Sequence, residues 1–324
     1  MLWGLPSLRQ LIFASMASYL KLPTPQHPVF ARQGVTLWLK RDDTIHPQVS
    51  GNKWRKLKYW WEEFRLSGKS EILTFGGAFS NHLAAVAAFG QHHSIPTHAL
   101  VRGEEKPQNQ TLDFCRSCGM NIDYISRSRY RQKDDPEFME MLSTTLPHVF
   151  VIPEGGKGLP GLKGCAELLD EVSESFDYIA CAAGTGTTAA GLLSHKNKAN
   201  LLVYPALKGA SFLQRAIAQQ WAALNSGKTI AKKWEVIHKY HCGGYGKVTP
   251  ELIAFINYFY RQFKIALDPV YTGKMMYGLW QDIDGGKFAT GTRILAIHTG
   301  GLQGIAGMNS QLKKNNKPLI EYEN

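Results

Sequence analysis

The sequence predicts an α/β protein built of two doubly wound parallel-sheet domains with a ligand cleft between them. Two observations carry this. From Thr36 onward, short β-branched or apolar runs alternate with longer stretches whose apolar residues recur with the helical period. Eight or more such strand–helix units follow one another in a chain of 324 residues, more than one compact open sheet accommodates. Alternation of this kind gives parallel strands covered by helices on both faces.

In order, residues 36–50 read as a strand running into a polar loop, Leu37-Trp38-Leu39-Lys40-Arg41-Asp42-Asp43. Further strands are expected at Glu71–Phe75, Thr97–Val101, Asn121–Ile125, Val149–Pro153, Tyr178–Ala182, Leu201–Tyr204, Glu235–His238 and Arg293–His298. Helical periodicity fills the gaps at Asn52–Leu66, Asn81–His92, Asn109–Cys118, Pro136–Leu146, Gly161–Ser175, Thr187–His195, Ser211–Leu224, Pro250–Phe263 and Gly273–Asp284. The expected division joins 1–53 with 154–324 as a large domain and leaves 54–153 as a small α/β domain.

Composition is that of an ordinary globular protein, with a net charge of +11. The basic residues are scattered (Arg127, Arg129, Arg131 and Lys133; Lys232 and Lys233; Lys313 and Lys314) and no nucleic-acid motif accompanies them. A cationic surface that attracts small anionic ligands is the expectation, with no nucleic-acid partner. No window has the long uncharged apolar run of a membrane span. Five cysteines in a chain this long make no disulfide framework, which points to a reducing, cytoplasmic setting. Cys115 and Cys118 have C-x-x-C spacing but lack a second ligand pair, so they read as helix residues rather than a metal or redox site. No metal is expected. Residues 1–41 contain no Asp or Glu, and the apolar stretch Leu11–Leu20 suits a targeting segment, a short docking helix or an upstream start codon equally.

The chemistry concentrates at strand-to-helix junctions, which line the ligand crevice of open α/β sheets. In Ser50-Gly51-Asn52-Lys53-Trp54-Arg55-Lys56-Leu57 a lysine heads an amphipathic helix just after a turn. Partial desolvation there lowers the amine pKa and frees Lys53 for Schiff-base chemistry. In Gly184-Thr185-Gly186-Thr187-Thr188, glycines let the backbone approach an anion at a helix N-terminus. The spacing also fits a dinucleotide fingerprint, but no Asp or Glu lies between Gly184 and Trp234 to hold a ribose. The threonines suit a phosphate monoester; a tight turn holding nothing is the bland reading. Gly76-Gly77-Ala78-Phe79-Ser80-Asn81-His82 has the same layout. Ser80 reads as a helix cap; a capped helix end is also a carboxylate-binding site, where Ser80 offers a hydroxyl as proton donor or nucleophile. Tyr245 lies in a glycine-flanked loop and Tyr271 in a turn before a helix; either is a packing residue or a phenol in proton transfer. His298-Thr299-Gly300-Gly301 ends the last strand, where His298 reads as a core histidine and Thr299 as a hydroxyl able to meet a ring nitrogen. His92 and His93 read as solvated helix-end residues.

Together these motifs resemble the family of 1-aminocyclopropane-1-carboxylate deaminases and D-cysteine desulfhydrases, pyridoxal-phosphate enzymes with the tryptophan-synthase-β-like fold. The likeness runs from Leu22 to the C-terminus. It implies pyridoxal 5'-phosphate in the cleft between the domains, a small amino-acid substrate and a homodimer. It also implies that Lys53 carries the Schiff base, that Ser80 is the active-site serine, and that Asn81 sits beside the cofactor's phenolic oxygen. By the same resemblance Gly184, Thr185, Gly186, Thr187 and Thr188 bind phosphate with help from Lys56, and Tyr245 and Tyr271 are the catalytic tyrosines; the capped helix end at Ser80, Asn81 and His82 is expected to hold the substrate carboxylate. Deaminases of the family tend to carry Glu after the second tyrosine and Leu in the final His-x-Gly-Gly. This chain has Thr272 and Thr299, as the desulfhydrase branch does. A threonine hydroxyl serves a neutral ring, enough to eliminate a thiolate but less suited to opening a cyclopropane. At Gly155-Gly156-Lys157-Gly158 the chain departs from the family's usual Ser-Asn after the glycines. The resulting expectation is α,β-elimination from D-cysteine, with cyclopropane deamination as the alternative and a non-catalytic cofactor carrier or sensor as a third possibility.

Overall fold

The computed structural model describes residues 20–105, 109–226 and 228–323. The expectation for residues 1–19 lies outside them. The chain begins with β1 (Gln26–Arg32) and β2 (Val35–Lys40), then α1 (Asn52–Ser67), β3 (Glu71–Gly76), α2 (Asn81–His93), β4 (Thr97–Arg102), α3 (Gln110–Ser117) and β5 (Met120–Ile125). Next come α4 (Arg127–Arg131), α5 (Pro136–Thr145), β6 (Val149–Ile152), α6 (Leu159–Ala166), β7 (Tyr178–Ala183), α7 (Thr187–Ser194) and β8 (Asn200–Pro205). The chain ends with α8 (Phe212–Leu224), β9 (Trp234–Val236), α9 (Pro250–Phe263), α10 (Thr272–Asp284), β10 (Arg293–Ile297) and α11 (Gly304–Lys314).

Two sheets form. One has the order β1-β2-β10-β7-β8-β9, the other β5-β4-β3-β6. All pairings are parallel except β1 with β2. Both faces of each sheet are covered. On the larger sheet, Leu37, Leu39 and Ala296 pack under α9 and α10, while Ile179, Val203 and Leu295 pack under α7 and α8. On the smaller one, Ile72 and Val101 meet α1 and α2, and Leu73 and Phe75 meet α4 and α5.

The alternating pattern therefore reads through to the sheets, with four differences, one of them the short helix α4, which no expected helical stretch covered. β1 was not expected: Pro28 interrupts it and its register shifts there, as befits an edge strand with half-exposed residues. Gln33 and Gly34, both at positive φ (50° and 73°), make the tight two-residue turn into β2. The helix expected over Gly161–Ser175 stops at Ala166 and tightens into a 3₁₀ turn, Glu167–Glu171. Close packing explains this: a side chain at Gly164 would lie 1.7 Å from the Arg55 carbonyl, and Glu171 is drawn into an ionic cluster beneath α1. Helix α11 was also missed, although Ile305, Met308 and Leu312 mark its buried face. Cys115 and Cys118 are buried and unpaired, and burial with the neighbouring thiol pushes Cys115 up to about 12. His93 corrects the reading of a solvated residue: its ring stacks on Trp61 at 4.6 Å and meets Phe89. No helix among the described residues is long and apolar enough to cross a membrane.

Candidate active site

A pocket of 370 Å³ opens at the C-terminal ends of strands from both sheets. Its wall includes Lys53, Lys56, Ser80, Asn81, His82, the run Gly184–Thr188, Tyr245, Tyr271 and Thr299. Side chains spread over 247 positions of sequence thus converge because most lie at strand-to-helix crossings, while Tyr271 stands in the turn between α9 and α10.

Lys53 is the second residue of α1. Gly51 precedes it at φ 60°, and a side chain there would meet the Thr299 carbonyl at 2.0 Å, so only glycine lets this turn press against the last strand. The Asn52 amide donates to the Thr188 hydroxyl at 3.0 Å, tying the turn to the head of α7. Burial, then the like charge of Lys56 one helical turn on, lower the Lys53 amine to about 7. The opposite face of α1 is held by Arg55, which pairs with Asp42 at 2.8 Å and with Glu171 at 2.6 Å; Lys40 completes the cluster at 2.8 Å from Glu171. These cations keep the Glu171 carboxyl at about 2 against the effect of burial. The side of α1 bearing Lys53 stays free to face the pocket.

At the head of α2 the Ser80 hydroxyl oxygen accepts from the backbone N–H groups of His82 (3.2 Å) and Leu83 (3.4 Å). The capping role is real, and the hydroxyl proton remains available to the pocket. Thr74 donates to the Ile152 carbonyl at 2.7 Å, so its oxygen accepts from His82 Nε2 at 2.9 Å. This fixes the neutral tautomer with a lone pair on Nδ1. Burial, reinforced by Lys53 and Lys56, holds the imidazole well below its usual range.

The head of α7 is built differently. Gly186 sits at φ 82° and no side chain caps the helix. Thr187 donates its hydroxyl to Gln220 Oε1 at 2.8 Å, while Gln220 Nε2 donates to the Thr185 carbonyl at 2.9 Å. The expectation that every threonine offers its hydroxyl to an anion therefore fails at Thr187, whose side chain is turned into the protein. With that proton committed, Thr185 donates to the Thr187 oxygen at 3.2 Å, so backbone N–H groups and Thr188 remain. Lys56 donates to the Gly155 carbonyl at 3.0 Å and so braces the facing glycine turn.

The Tyr271 and Tyr245 hydroxyls lie 3.4 Å apart. Burial raises both phenols, so both are protonated at neutral pH. The Asp268 carboxylate accepts from the backbone of Val270, Tyr271 and Thr272 and from the Thr272 hydroxyl, which sets the Tyr271 turn. Lys274 donates to the Gly244 carbonyl at 2.7 Å and holds the loop bearing Tyr245; burial lowers its amine to about 8. The two threonines that sequence treats alike part company here. Thr272 is fully buried against Asp268, whereas Thr299 lines the pocket. His298 is buried with Nε2 on the Ala266 carbonyl at 2.8 Å, a core histidine.

Residues 18–300 match the family model described as "Pyridoxal-phosphate dependent enzyme". The chain belongs to this family. Among curated relatives, the "Bifunctional D-cysteine desulfhydrase/1-aminocyclopropane-1-carboxylate deaminase, mitochondrial" of Arabidopsis thaliana is 31% identical over 88% of this chain and 77% of its own length. The "D-cysteine desulfhydrase" of Klebsiella pneumoniae is 28% identical over 86% of this chain and 90% of its own length. A solved "ACC deaminase homologue" superposes with a TM-score of 0.76 at 28% identity, covering 94% of this chain and 98% of the other. The chain is thus a pyridoxal-phosphate-dependent enzyme of fold type II, with the α/β architecture of that structure.

The pocket fits the cofactor of its family. An amine near pH 7 stands at one side, and a helix N-terminus with no side-chain cap at another. Sequence reasoning missed several wall and support residues: Asn52, Arg102, Glu154, Gln220, Asp268 and Lys274. Asp268 alone carried a signal, standing three residues before Tyr271 at a helix head.

Proposed function

We propose that this enzyme catalyses α,β-elimination from D-cysteine or a related β-substituted D-alanine, giving pyruvate, ammonia and sulfide or another thiol. The observation that carries the reading is the placement of the Lys53 amine, lowered to about 7, in one pocket with the Ser80 helix head and the uncapped head of α7. Bound pyridoxal phosphate supplies covalent capture of the substrate amine and an electron sink for the Cα carbanion. Gly184–Thr188 receive its phosphate, Asn81 meets its phenolic oxygen and Thr299 its ring nitrogen. Lys53, or a tyrosine, is the catalytic base, and an amine near pH 7 suits acceptance of the Cα proton. Ser80, Asn81 and His82 hold the substrate carboxylate. Tyr271 and Tyr245, protonated and 3.4 Å apart, pass a proton toward the leaving sulfur. Thr299 in the pocket, with no carboxylate from position 272, favours elimination of a thiolate over ring opening.

Deamination of 1-aminocyclopropane-1-carboxylate to 2-oxobutyrate is the second reading, favoured by the Ser80, Tyr245 and Tyr271 hydroxyls facing one pocket and by the double name of the Arabidopsis relative. We further propose a homodimer in the cytoplasm, with 54–153 as the small domain and 1–53 with 154–324 as the large one. Assay of purified protein with D-cysteine, L-cysteine and 1-aminocyclopropane-1-carboxylate separates the readings. Pyruvate with sulfide from D-cysteine is expected. 2-Oxobutyrate as the sole product sinks elimination, and cofactor absorbance without any turnover points to a carrier or sensor.

A further inference from the structure

A second cavity, of 420 Å³, adjoins the active site and is lined by Arg102, Arg127, Tyr130, Arg131, Lys133 and Glu154. Arg102 and Glu154 line the active-site pocket as well, so the two spaces share a wall. Helix α4 creates the far side. Arg127, Tyr130 and Arg131 stand at i, i+3 and i+4 and therefore share one face, while Arg129 turns away over Phe138. The basic run that looks scattered in sequence is gathered by this short helix.

Four cations thus surround one acid, and that acid is already engaged. Tyr130 donates to Glu154 Oε1 at 2.7 Å and Lys133 lies 3.3 Å from Oε2. No carboxylate lies within ion-pair distance of Arg102, Arg127 or Arg131 among the described residues. The Arg102 guanidinium stands 5.7 Å from the Tyr130 ring and close against Gly77 in the loop leading to Ser80. Arg102 and Glu154 both act electrostatically on Tyr245. Unpaired guanidinium groups around a concave space are the setting in which a carboxylate is bound through charge-assisted, bidentate hydrogen bonds.

We propose that this cavity receives a carboxylate at the far end of the substrate's β-substituent. The preferred substrates are then S-carboxyalkyl D-cysteines and similar β-substituted D-alanines with a second negative charge. The inference rests on the elimination reading above and names its substrate class. The step is unchanged: the Cα–H and Cβ–S bonds break, the thiolate leaves, and water converts the aminoacrylate to pyruvate and ammonia.

The test compares S-(2-carboxyethyl)-D-cysteine with S-propyl-D-cysteine, which share chain length and leaving atom but differ in tail charge. Wild-type holoenzyme is expected to favour the carboxylate in kcat/KM by about tenfold or more. The double variant Arg127→Gln/Arg131→Gln is expected to bring the ratio close to one, with cofactor absorbance and melting temperature confirming its fold. Equal kcat/KM values in the wild type, or a ratio that survives in the double variant, overturn the proposal. If neither these compounds nor D-cysteine releases pyruvate, the elimination reading fails by itself; if D-cysteine alone does, that reading stands. Dissociation constants from titrating the cofactor absorbance with each compound then decide the proposal, equal affinities overturning it and a retained preference lost in the double variant supporting it.

Discussion

Two helices, α2 and α7, present their N-termini to the same pocket and are finished in opposite ways. At α2 the Ser80 oxygen accepts two backbone N–H groups. At α7 no side chain does so, and Thr187 turns its hydroxyl to Gln220. A capped end keeps a hydroxyl and a weakened dipole for its ligand, which suits a singly charged group that must come and go. An uncapped end leaves bare amides and the full positive end of the helix, which suits a dianion that stays. The proposed roles, substrate carboxylate at α2 and cofactor phosphate at α7, follow this difference.

The comparison can be broken most severely at Lys53, between the two ends. Lys53→Ala is expected to remove the visible absorbance of bound cofactor and to cut turnover by about a thousandfold or more. Retention of both would remove the foundation for either assignment.

The next largest effect is in pH. The lowered pKa of Lys53 means that its nucleophilic neutral form is lost as pH falls below about 7. Stopped-flow capture of pyridoxal phosphate by apoprotein should therefore slow about tenfold per pH unit below that point and level off above it. A rate still climbing between pH 8 and pH 10, as an ordinary lysine of about 10.4 would give, contradicts the desolvated amine.

The uncapped end is sharpened by Gly186→Ala. A methyl group there would lie 2.7 Å from Ile217 on a backbone at φ 82°, displacing the turn. Cofactor affinity, measured by reconstitution, should drop about tenfold while the substrate KM of the loaded enzyme changes less. Equal losses in both would erase the distinction between the two helix heads. Ser80→Ala gives the smallest effect on the fold, about 1 kcal/mol from the missing cap. It should raise the substrate KM without altering cofactor retention. Loss of cofactor in this variant would reverse the assignment of the two ends.

What sequence disclosed and what it hid divide along physical lines. Strand–loop–helix alternation and the small polar residues at the crossings are local signals, and they located Lys53, Ser80, Gly184–Thr188 and Thr299. Gln220 lies in the middle of α8, 33 positions from the hydroxyl it engages, and nothing local marks it. The ionic cluster under α1 joins Lys40, Asp42, Arg55 and Glu171, which are ordinary charged residues until the chain closes. Thr272 and Thr299 each follow a motif residue, and only the Asp268 contact shows that one of them has left the pocket. β1 was hidden because an edge strand containing proline shows no clean alternation.

The bare helix head at α7 has a consequence outside catalysis. A phosphate ester that satisfies those amides binds the native chain and not the unfolded one, so it stabilises the fold by mass action. If the proposed phosphate site at α7 holds, a shortage of vitamin B6 is expected to leave more of the protein open to cellular proteases and to lower its abundance along with its activity.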